Sequence, residues 1–226
     1  SGPITAELGL SDEEAQENYV DHVVGRDGQP VVVSSDIYDA GVTQLTGEQV
    51  RGIYQDEITN WSEVGGPDQE IFVIGRAEGS GTDTAFRLNM LGSADASMDG
   101  VNTRFGQNQQ VAEAVSNNDG AIAYMALAFT SDTVQPIGID FDGTLYEPDK
   151  DAENTIFDSA YPLNRDLHMY TRIDDDTPDG TDLREGAFLN MFLTDFGQTV
   201  FVEQNNYIPL PTSDIESEAA KLPDQA

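Results

Sequence analysis

The feature that most constrains the fold is a short strand that runs directly into a glycine-rich loop and then into a helix. Residues 70–75 (EIFVIG) have the apolar, β-branched composition of a strand. Arg-Ala-Glu-Gly-Ser-Gly-Thr follows at once at residues 76–82, and Phe86 and Met90 then stand four apart, as on one face of a helix. A strand, a tight loop and a helix in this order predict a β-loop-α unit of an α/β protein.

Strand and helix patterns alternate along the rest of the chain. Thr46 has the position of a helix N-cap, Gln49 would complete its capping box, and this helix should end before Thr59. The acidic residues after Pro211 have few apolar anchors, and we expect them to be loosely held. Further strands are predicted over 29–34, after a turn at Asp27-Gly28, and over 121–125, and further helices over 107–118, from Leu183 and over 199–204. The pattern indicates an α/β fold with mixed sheets.

The charge of the chain excludes several partners. Of 226 residues, 42 are Asp or Glu and 10 are Lys or Arg, which gives a formal net charge of −32. Nucleic acid and anionic membrane surfaces both attract basic faces, so neither is expected as a partner. Because 38% of the residues are hydrophobic and spread in periodic blocks, the acidity does not indicate disorder.

The composition also bears on the environment of the protein. Only Lys150 and Lys221 are lysines, and the absence of cysteine removes disulfides and thiolate ligands. Dense carboxylates with few lysines favour adaptation to molar salt, where self-repulsion is screened. An ordinary acidic protein at low salt is the alternative. No apolar run approaches the ~18 residues that a membrane-spanning helix needs.

The loop at residues 76–82 has the chemistry of a cradle for a small oxyanion. A helix N-terminus presents unpaired amides and a partial positive charge. Gly79 and Gly81 allow close approach of the backbone, and the Ser80 and Thr82 hydroxyls add donors. Arg76 could bind two oxygens of a tetrahedral anion. An N-capped helix after an ordinary glycine-rich loop is the alternative.

Glu78 bears on which anion would be selected. A carboxylate in the cradle weakens anion binding unless the ligand carries a proton to donate to it. Hydrogen phosphate carries one and sulfate does not, so Glu78 would select phosphate. Alternatively, Glu78 pairs with Arg76 or lies in solvent.

The order of several motifs resembles that of phosphate-binding proteins of ABC importers, from the first residues to about Leu210. The motifs are residues 45–54 (LTGEQVRGIY), 58–66 (ITNWSEVGG), 76–82, 121–124 (AIAY), 161–165 (YPLNR), Gly197-Gln198 and 207–210 (YIPL). The resemblance implies a periplasmic-binding-protein-like fold of type II, with two α/β lobes joined by two chain crossings. The lobes would be residues 1–34 plus 165–226, and residues 35–164. The implied phosphate-binding residues are Ser1, Arg76, Glu78, Gly79, Ser80, Gly81 and Thr82.

The chain departs from the family at its start. The family normally begins with a strand and a Gly-Ser-Ser/Thr-Thr turn that supplies the other half of the cradle, and neither is present before Ser1. Gly2 also stands where the family often has Asp or Arg. We therefore expect an incomplete first lobe. The chain would be a fragment, a protein completed by another molecule, or a degenerate relative.

The resulting expectation is a substrate-binding protein that captures inorganic phosphate outside the cell and passes it to an ABC permease in the membrane. It would act as a monomer, without catalysis, cofactor, metal or nucleic acid, and its signal or lipoprotein segment is not part of this chain. Two alternatives are a phosphate-monoester hydrolase that uses the same cradle and a non-binding interaction module. A hydrolase triad would need Ser80 with His22 or His168, and Ser80 lacks the G-x-S-x-G elbow. Residues 174–182 fail the spacing of a calcium loop.

Overall fold

This computed structural model describes residues 4–173 and 181–222. The chain divides into two units. Unit 1 comprises Ser1–Asp27 and Arg165–Ala226, and unit 2 is the continuous segment Gly28–Asn164. Residues 28–34 thus belong to unit 2, whereas they were expected in the other lobe. The reason is that residues 31–34 form a strand in the interior of the main sheet of unit 2.

The elements are numbered in chain order. The strands are β1 (Tyr19–Gly28), β2 (Val31–Ser34), β3 (Gln44–Thr46), β4 (Phe72–Arg76), β5 (Thr103–Phe105), β6 (Ala121–Tyr124), β7 (Val134–Pro136), β8 (Gly138–Phe141), β9 (Thr144–Tyr146) and β10 (Asn164–Arg172). The helices are α1 (Ile4–Leu8), α2 (Asp12–Asn18), α3 (Ser35–Asp39), α4 (Gly47–Tyr54), α5 (Gly81–Leu91), α6 (Asn108–Asn117), α7 (Leu183–Leu193), α8 (Asp195–Gly197) and α9 (Thr212–Ala219).

Unit 2 is built around a five-stranded mixed sheet with the order β5-β4-β6-β2-β7. Strand β4 is parallel to both β5 and β6, whereas β2 is antiparallel to β6 and β7. A smaller sheet has the order β3-β8-β9. This is the α/β architecture with mixed sheets that the sequence predicted.

The two faces of the five-stranded sheet are both covered. Along β2, Val31 and Val33 belong to one hydrophobic cluster, and Val32 between them belongs to the other. Phe86 and Met90 of α5 pack in the first cluster, as their spacing predicted. Successive residues of a strand point to opposite faces, so an uninterrupted apolar strand such as β2 requires cover on both sides.

The start of α4 and its capping box were predicted correctly. The Thr46 side chain accepts a hydrogen bond from the Gln49 amide over 3.1 Å, and the Gln49 side chain accepts one from the Thr46 amide over 2.8 Å. The reciprocal pair satisfies two donors that a helix start would otherwise leave unpaired. The helix ends at Tyr54, before Thr59 as expected.

Unit 1 combines the two-stranded sheet β1-β10 with α1, α2, α7, α8 and α9. A turn was expected at Asp27-Gly28, but β1 continues through both residues. The structure explains this, because the buried Asp27 carboxylate accepts hydrogen bonds from Arg165 of β10, the shorter over 2.9 Å. This pair holds the end of β1 in extended conformation.

The residues after Pro211 are anchored, and the expectation of a loosely held segment was wrong for the described part. Asp214 of α9 accepts a hydrogen bond from Arg26 over 2.7 Å. Glu218 is buried, and Lys221 donates to the Asp21 carbonyl over 2.9 Å. The anchors are polar, which is why the apolar pattern did not indicate them.

Trp61 is fully buried in unit 2. Its indole N–H donates to the Gly120 carbonyl over 2.9 Å. Trp61 begins a short 3₁₀ helix that ends at Val64, and it packs in the same hydrophobic cluster as Phe86. It is therefore a core residue of unit 2.

Candidate functional site

The candidate site lies at one edge of the five-stranded sheet. Because β4, β5 and β6 are parallel, their carboxyl ends meet at the same edge. Helix α5 begins five residues beyond the end of β4, and α6 begins three residues beyond the end of β5. Two helix N-termini therefore face this edge, which is where open α/β sheets bind their ligands.

The loop between β4 and α5 is a tight turn. The Ser80 amide donates to the Ala77 carbonyl over 3.1 Å, and Gly79 has a φ of +76°, which favours glycine. Ser80 is the N-cap, and its hydroxyl accepts a hydrogen bond from the Asp83 amide over 3.2 Å. The amides of Gly81 and Thr82, in the first turn of α5, have no acceptor within the helix. They are the groups that an anion would meet.

Arg76 is the last residue of β4 and is only 6% exposed. Its guanidinium donates to the Gly106 carbonyl over 2.8 Å, to the Phe105 carbonyl over 3.3 Å and to the Thr82 hydroxyl over 3.1 Å. It also donates to the side-chain oxygen of Asn108, the first residue of α6. These four acceptors are oxygens of neutral groups. They fix a permanent positive charge between the starts of α5 and α6.

Glu78 contacts two other arginines. Its side chain is 74% exposed, and one carboxylate oxygen lies 3.5 Å from Arg87 and 3.9 Å from Arg104. The two distances are long and the site is open to solvent, so these pairs are weak. The Glu78 carboxylate therefore remains accessible at the rim of the loop.

Asp83 is the centre of a buried polar cluster that the sequence did not indicate. Its carboxylate accepts hydrogen bonds from Arg87 over 2.9 Å, from Tyr124 over 2.8 Å and from Arg104 over 3.3 Å. Burial raises the pKa of the Tyr124 hydroxyl, and the Asp83 carboxylate raises it further, although a hydrogen bond from the Arg76 amide opposes them. Tyr124 is therefore a neutral donor to Asp83.

The structure places six of the seven predicted residues in one loop and the helix start that follows it: Arg76, Glu78, Gly79, Ser80, Gly81 and Thr82. Ser1 lies outside the described residues, as does most of the segment 174–182. The sequence did not indicate Asn108, although it stands in a correctly predicted helix. Strand β5 has only three residues and no apolar run, so nothing in the sequence showed that α6 starts beside Arg76.

The residues weighed for a hydrolase triad are divided between the two units. Ser80 belongs to unit 2, and its hydroxyl caps α5. His22 and His168 belong to unit 1, where His22 is buried against Thr171 and His168 contacts Asp21. Within residues 4–173 and 181–222, no group of three or more His, Asp or Glu side chains is arranged to hold a metal ion. The same residues include no helix that is long and apolar enough to cross a bilayer.

The fold and the loop together define an α/β protein whose candidate ligand site is formed by helix N-termini at a parallel sheet edge. Comparison with known families gives the same class. The model of the PBP superfamily domain matches residues 1–195, and the chain belongs to this family.

Two curated relatives carry the name phosphate-binding protein PstS. The protein from Bacillus subtilis is 28% identical over 201 residues, which are 88% of this chain and 61% of the relative. The protein from Staphylococcus saprophyticus is 25% identical over 212 residues, 91% of this chain and 62% of the relative. The chain thus spans about three fifths of the length of these two proteins.

Solved structures show the same fold. A substrate-binding protein assigned to phosphate ABC transport in Clostridium perfringens, solved with phosphate bound, has a TM-score of 0.71 and 24% identity. The comparison covers 93% of this chain and 84% of that one. An ABC-type phosphate transport receptor from Vibrio cholerae has a TM-score of 0.65 and 24% identity, covering 92% and 83% of the two chains. At these identities the likeness establishes the periplasmic-binding-protein-like fold.

Proposed function

We propose that this chain captures inorganic phosphate for an ABC importer. The observation that carries the proposal is the buried Arg76 guanidinium, which donates a hydrogen bond to the Thr82 hydroxyl in the first turn of α5. This places a fixed positive charge beside amides that have no acceptor within the helix. Relatives named for phosphate binding support the choice of ligand.

In the proposed complex, phosphate oxygens accept hydrogen bonds from the Gly81 and Thr82 amides and from the Ser80 and Thr82 hydroxyls. Arg76 neutralises part of the charge. Hydrogen bonds to charged groups contribute roughly 1.5–3 kcal/mol each, so a few of them suffice for tight binding. Gly79 has a φ of +76°, which would be strained for a residue with a side chain. The space around its Cα is open, since a Cβ built there would meet no atom within 4 Å. The backbone at Gly79 is therefore accessible to the anion.

Glu78 is the proposed determinant of anion choice. Its accessible carboxylate accepts a hydrogen bond from the protonated oxygen of hydrogen phosphate, and sulfate has no such donor. Ser1 is also proposed to contact the ligand, by resemblance to the family.

Isothermal titration calorimetry at molar salt tests the proposal directly. The wild-type chain should bind phosphate, and Arg76→Ala should abolish the heat of binding. Arg184→Ala is the matched control, because it removes the same charge from a side chain that is 95% exposed. Equal binding by wild type and Arg76→Ala would overturn the site, and absence of phosphate binding by the wild type would overturn the function.

We further propose that binding occurs without chemical turnover. Ser80 supports this, because its hydroxyl is engaged as the acceptor for the Asp83 amide at the start of α5. The protein should therefore leave a chromogenic phosphate ester intact, with and without divalent metal. Sustained hydrolysis that is lost in Arg76→Ala would instead favour a phosphatase.

The net charge of −32 suggests the setting in which the protein works. We propose an extracellular, salt-rich environment, with an acidic surface adapted to it and a monomer that delivers phosphate to a membrane permease. At molar salt the Debye length is about 3 Å, so distant carboxylates are screened while Arg76 acts at contact distance. Phosphate affinity should then weaken when salt is removed. An affinity that rises steadily as salt is removed would contradict this assignment.

A further inference from the structure

The backbone of Arg76 is held on both sides by side chains that share one partner. Its amide donates to the Tyr124 hydroxyl over 3.2 Å, and its carbonyl accepts a hydrogen bond from Arg104 over 3.2 Å. The Tyr124 hydroxyl in turn donates to one oxygen of Asp83 over 2.8 Å, and Arg104 donates to the same oxygen over 3.3 Å. Arg76, Tyr124, Asp83 and Arg104 thus close a ring of hydrogen bonds, called the Asp83 ring below.

The Asp83 ring lies at the end of β4, beyond the residues that pair with β6. The register of β4 with β6 pairs Phe72 with Ala121 and Val73 with Ile122, so it covers only the first part of β4. At Arg76, the Tyr124 side chain supplies the acceptor on that side. A buried amide without an acceptor is costly, so this hydroxyl satisfies the Arg76 amide at the last residue of β4.

Asp83 is well suited to hold the ring rigidly. Its side chain is 3% exposed, and its second oxygen accepts a hydrogen bond from Arg87 over 2.9 Å. Charge-assisted hydrogen bonds are strengthened where water is excluded. Asp83 also lies in the first turn of α5, where a negative charge interacts favourably with the helix dipole.

We propose that Asp83 is a positioning residue for the anion site, acting on Arg76 through Tyr124 and Arg104. This inference rests on the proposed function for its ligand. The Asp83 ring fixes the backbone of Arg76 through its amide and its carbonyl. The Arg76 side chain and the loop at residues 77–80 are both attached to this backbone. A shift of this backbone would displace the guanidinium and the α5 amides relative to each other, and misplaced donors lose much of their binding energy.

Two variants open the ring at different points. Tyr124→Phe removes the hydroxyl and retains the ring stack on Phe86, whose centroid lies 3.8 Å away. Asp83→Asn keeps the shape of the side chain and removes the charge that Arg87 and Arg104 bind. If Asp83→Asn fails to fold, Tyr124→Phe still tests the proposal.

Two controls separate positioning from general destabilisation. Tyr54→Phe removes a buried hydroxyl from the same core, where it donates to the Ile74 carbonyl over 3.3 Å, and it leaves every hydrogen bond of the Asp83 ring in place. Asp95→Asn removes the same charge as Asp83→Asn from an exposed position in unit 2. Both controls should bind phosphate as the wild type does.

The experiment measures phosphate affinity by calorimetry and hydrogen exchange of the Arg76 amide by NMR in the full chain. We expect Tyr124→Phe and Asp83→Asn each to weaken phosphate binding about tenfold and to accelerate exchange at Arg76 by a similar factor. An unchanged Arg76 exchange rate, or phosphate affinity within about twofold of wild type in both variants, would overturn the inference. If Tyr54→Phe weakened binding equally, the effect would be one of core stability, and the inference would also fail.

The same data separate this inference from the proposed function. A wild type that binds phosphate, with both ring variants unaffected, retains the function and rejects the positioning role. A wild type without phosphate binding rejects the function. Accelerated exchange of the Arg76 amide in the ring variants would then still show that Asp83 restrains the Arg76 backbone.

Discussion

The guanidinium of Arg76 donates to the hydroxyl of Thr82 over 3.1 Å, and this bond joins the last residue of β4 to the first turn of α5. Thr82 is buried, so its hydroxyl is held where it contacts both the arginine and the helix start. The bond therefore fixes the Arg76 guanidinium relative to the start of α5, and groups fixed in this way lose little conformational entropy on binding.

Thr82→Val should weaken phosphate binding about tenfold, because it removes a hydroxyl that accepts from Arg76 and would donate to the anion. Valine has nearly the same shape, so the helix should persist. Calorimetry against phosphate is the measurement, and Thr84→Val, at an exposed position of the same helix, is the control. Equal affinity in Thr82→Val and wild type would exclude Thr82 from the site.

Glu78→Gln should reduce the preference for phosphate over sulfate. The amide oxygen is a weaker acceptor for the phosphate proton, and the neutral side chain no longer repels sulfate. Competition between the two anions should show the phosphate-to-sulfate affinity ratio falling about fivefold or more. The proton-acceptor role would be refuted if the wild type bound both anions equally or if the ratio did not change.

His22 should make the protein less stable in mild acid. Burial lowers the pKa of its imidazole, an effect that the Glu218 and Asp21 carboxylates oppose and Lys221 reinforces. Between the folded-state pKa and the unfolded value of about 6.5, the unfolded chain binds more protons. The stability of the fold is therefore fully present above pH ~6.5 and declines as the pH falls through this window.

Chemical denaturation at a series of pH values measures this decline. His22→Gln should flatten the pH dependence just below about pH 6.5, since glutamine keeps a polar group near Thr171 but does not titrate. His168→Gln, which replaces the other histidine of the chain, is the matched control. A slope that persists unchanged in His22→Gln would assign the acid sensitivity to other groups.

Arg26→Gln should loosen α9. Arg26 of β1 donates to Asp166 of β10 over 2.9 Å and to Asp214 of α9 over 2.7 Å, so it joins three elements of unit 1. Its hydrogen bond lowers the pKa of Asp214. We expect limited proteolysis after Leu210 to accelerate about threefold or more. Arg184→Gln, which changes a highly exposed arginine, should cleave like wild type, and equal rates in all three proteins would contradict the anchoring role.

Elements that depend on neighbouring residues could be predicted from the sequence. The capping box at Thr46 and Gln49 and the strand before Arg76 are determined within a few positions, and the structure has both. The loop at 76–82 was indicated for the same reason, because its glycines and hydroxyls act on the adjacent helix start.

Contacts that depend on strand order could not be predicted. Asp83 meets Arg104 because β5 lies beside β4, and β5 is too short to show an apolar pattern. Asn108 reaches Arg76 for the same reason. The many acidic residues also hide Asp83 in the sequence. No neighbouring residue distinguishes this buried aspartate from the solvated carboxylates of the surface.

The chain enters and leaves unit 2 at the same place, since the Gln29 amide donates to the Leu163 carbonyl over 3.0 Å. This has a consequence for the order of folding. Unit 2 is one continuous segment, whereas unit 1 combines both ends of the chain. Once unit 2 has formed, it holds Asp27 and Arg165 near each other, so the entropy of closing a long loop is already lost before β1 pairs with β10. We therefore expect unit 2 to form before unit 1, and refolding should show protection of the Ile122 amide before the amides of β10.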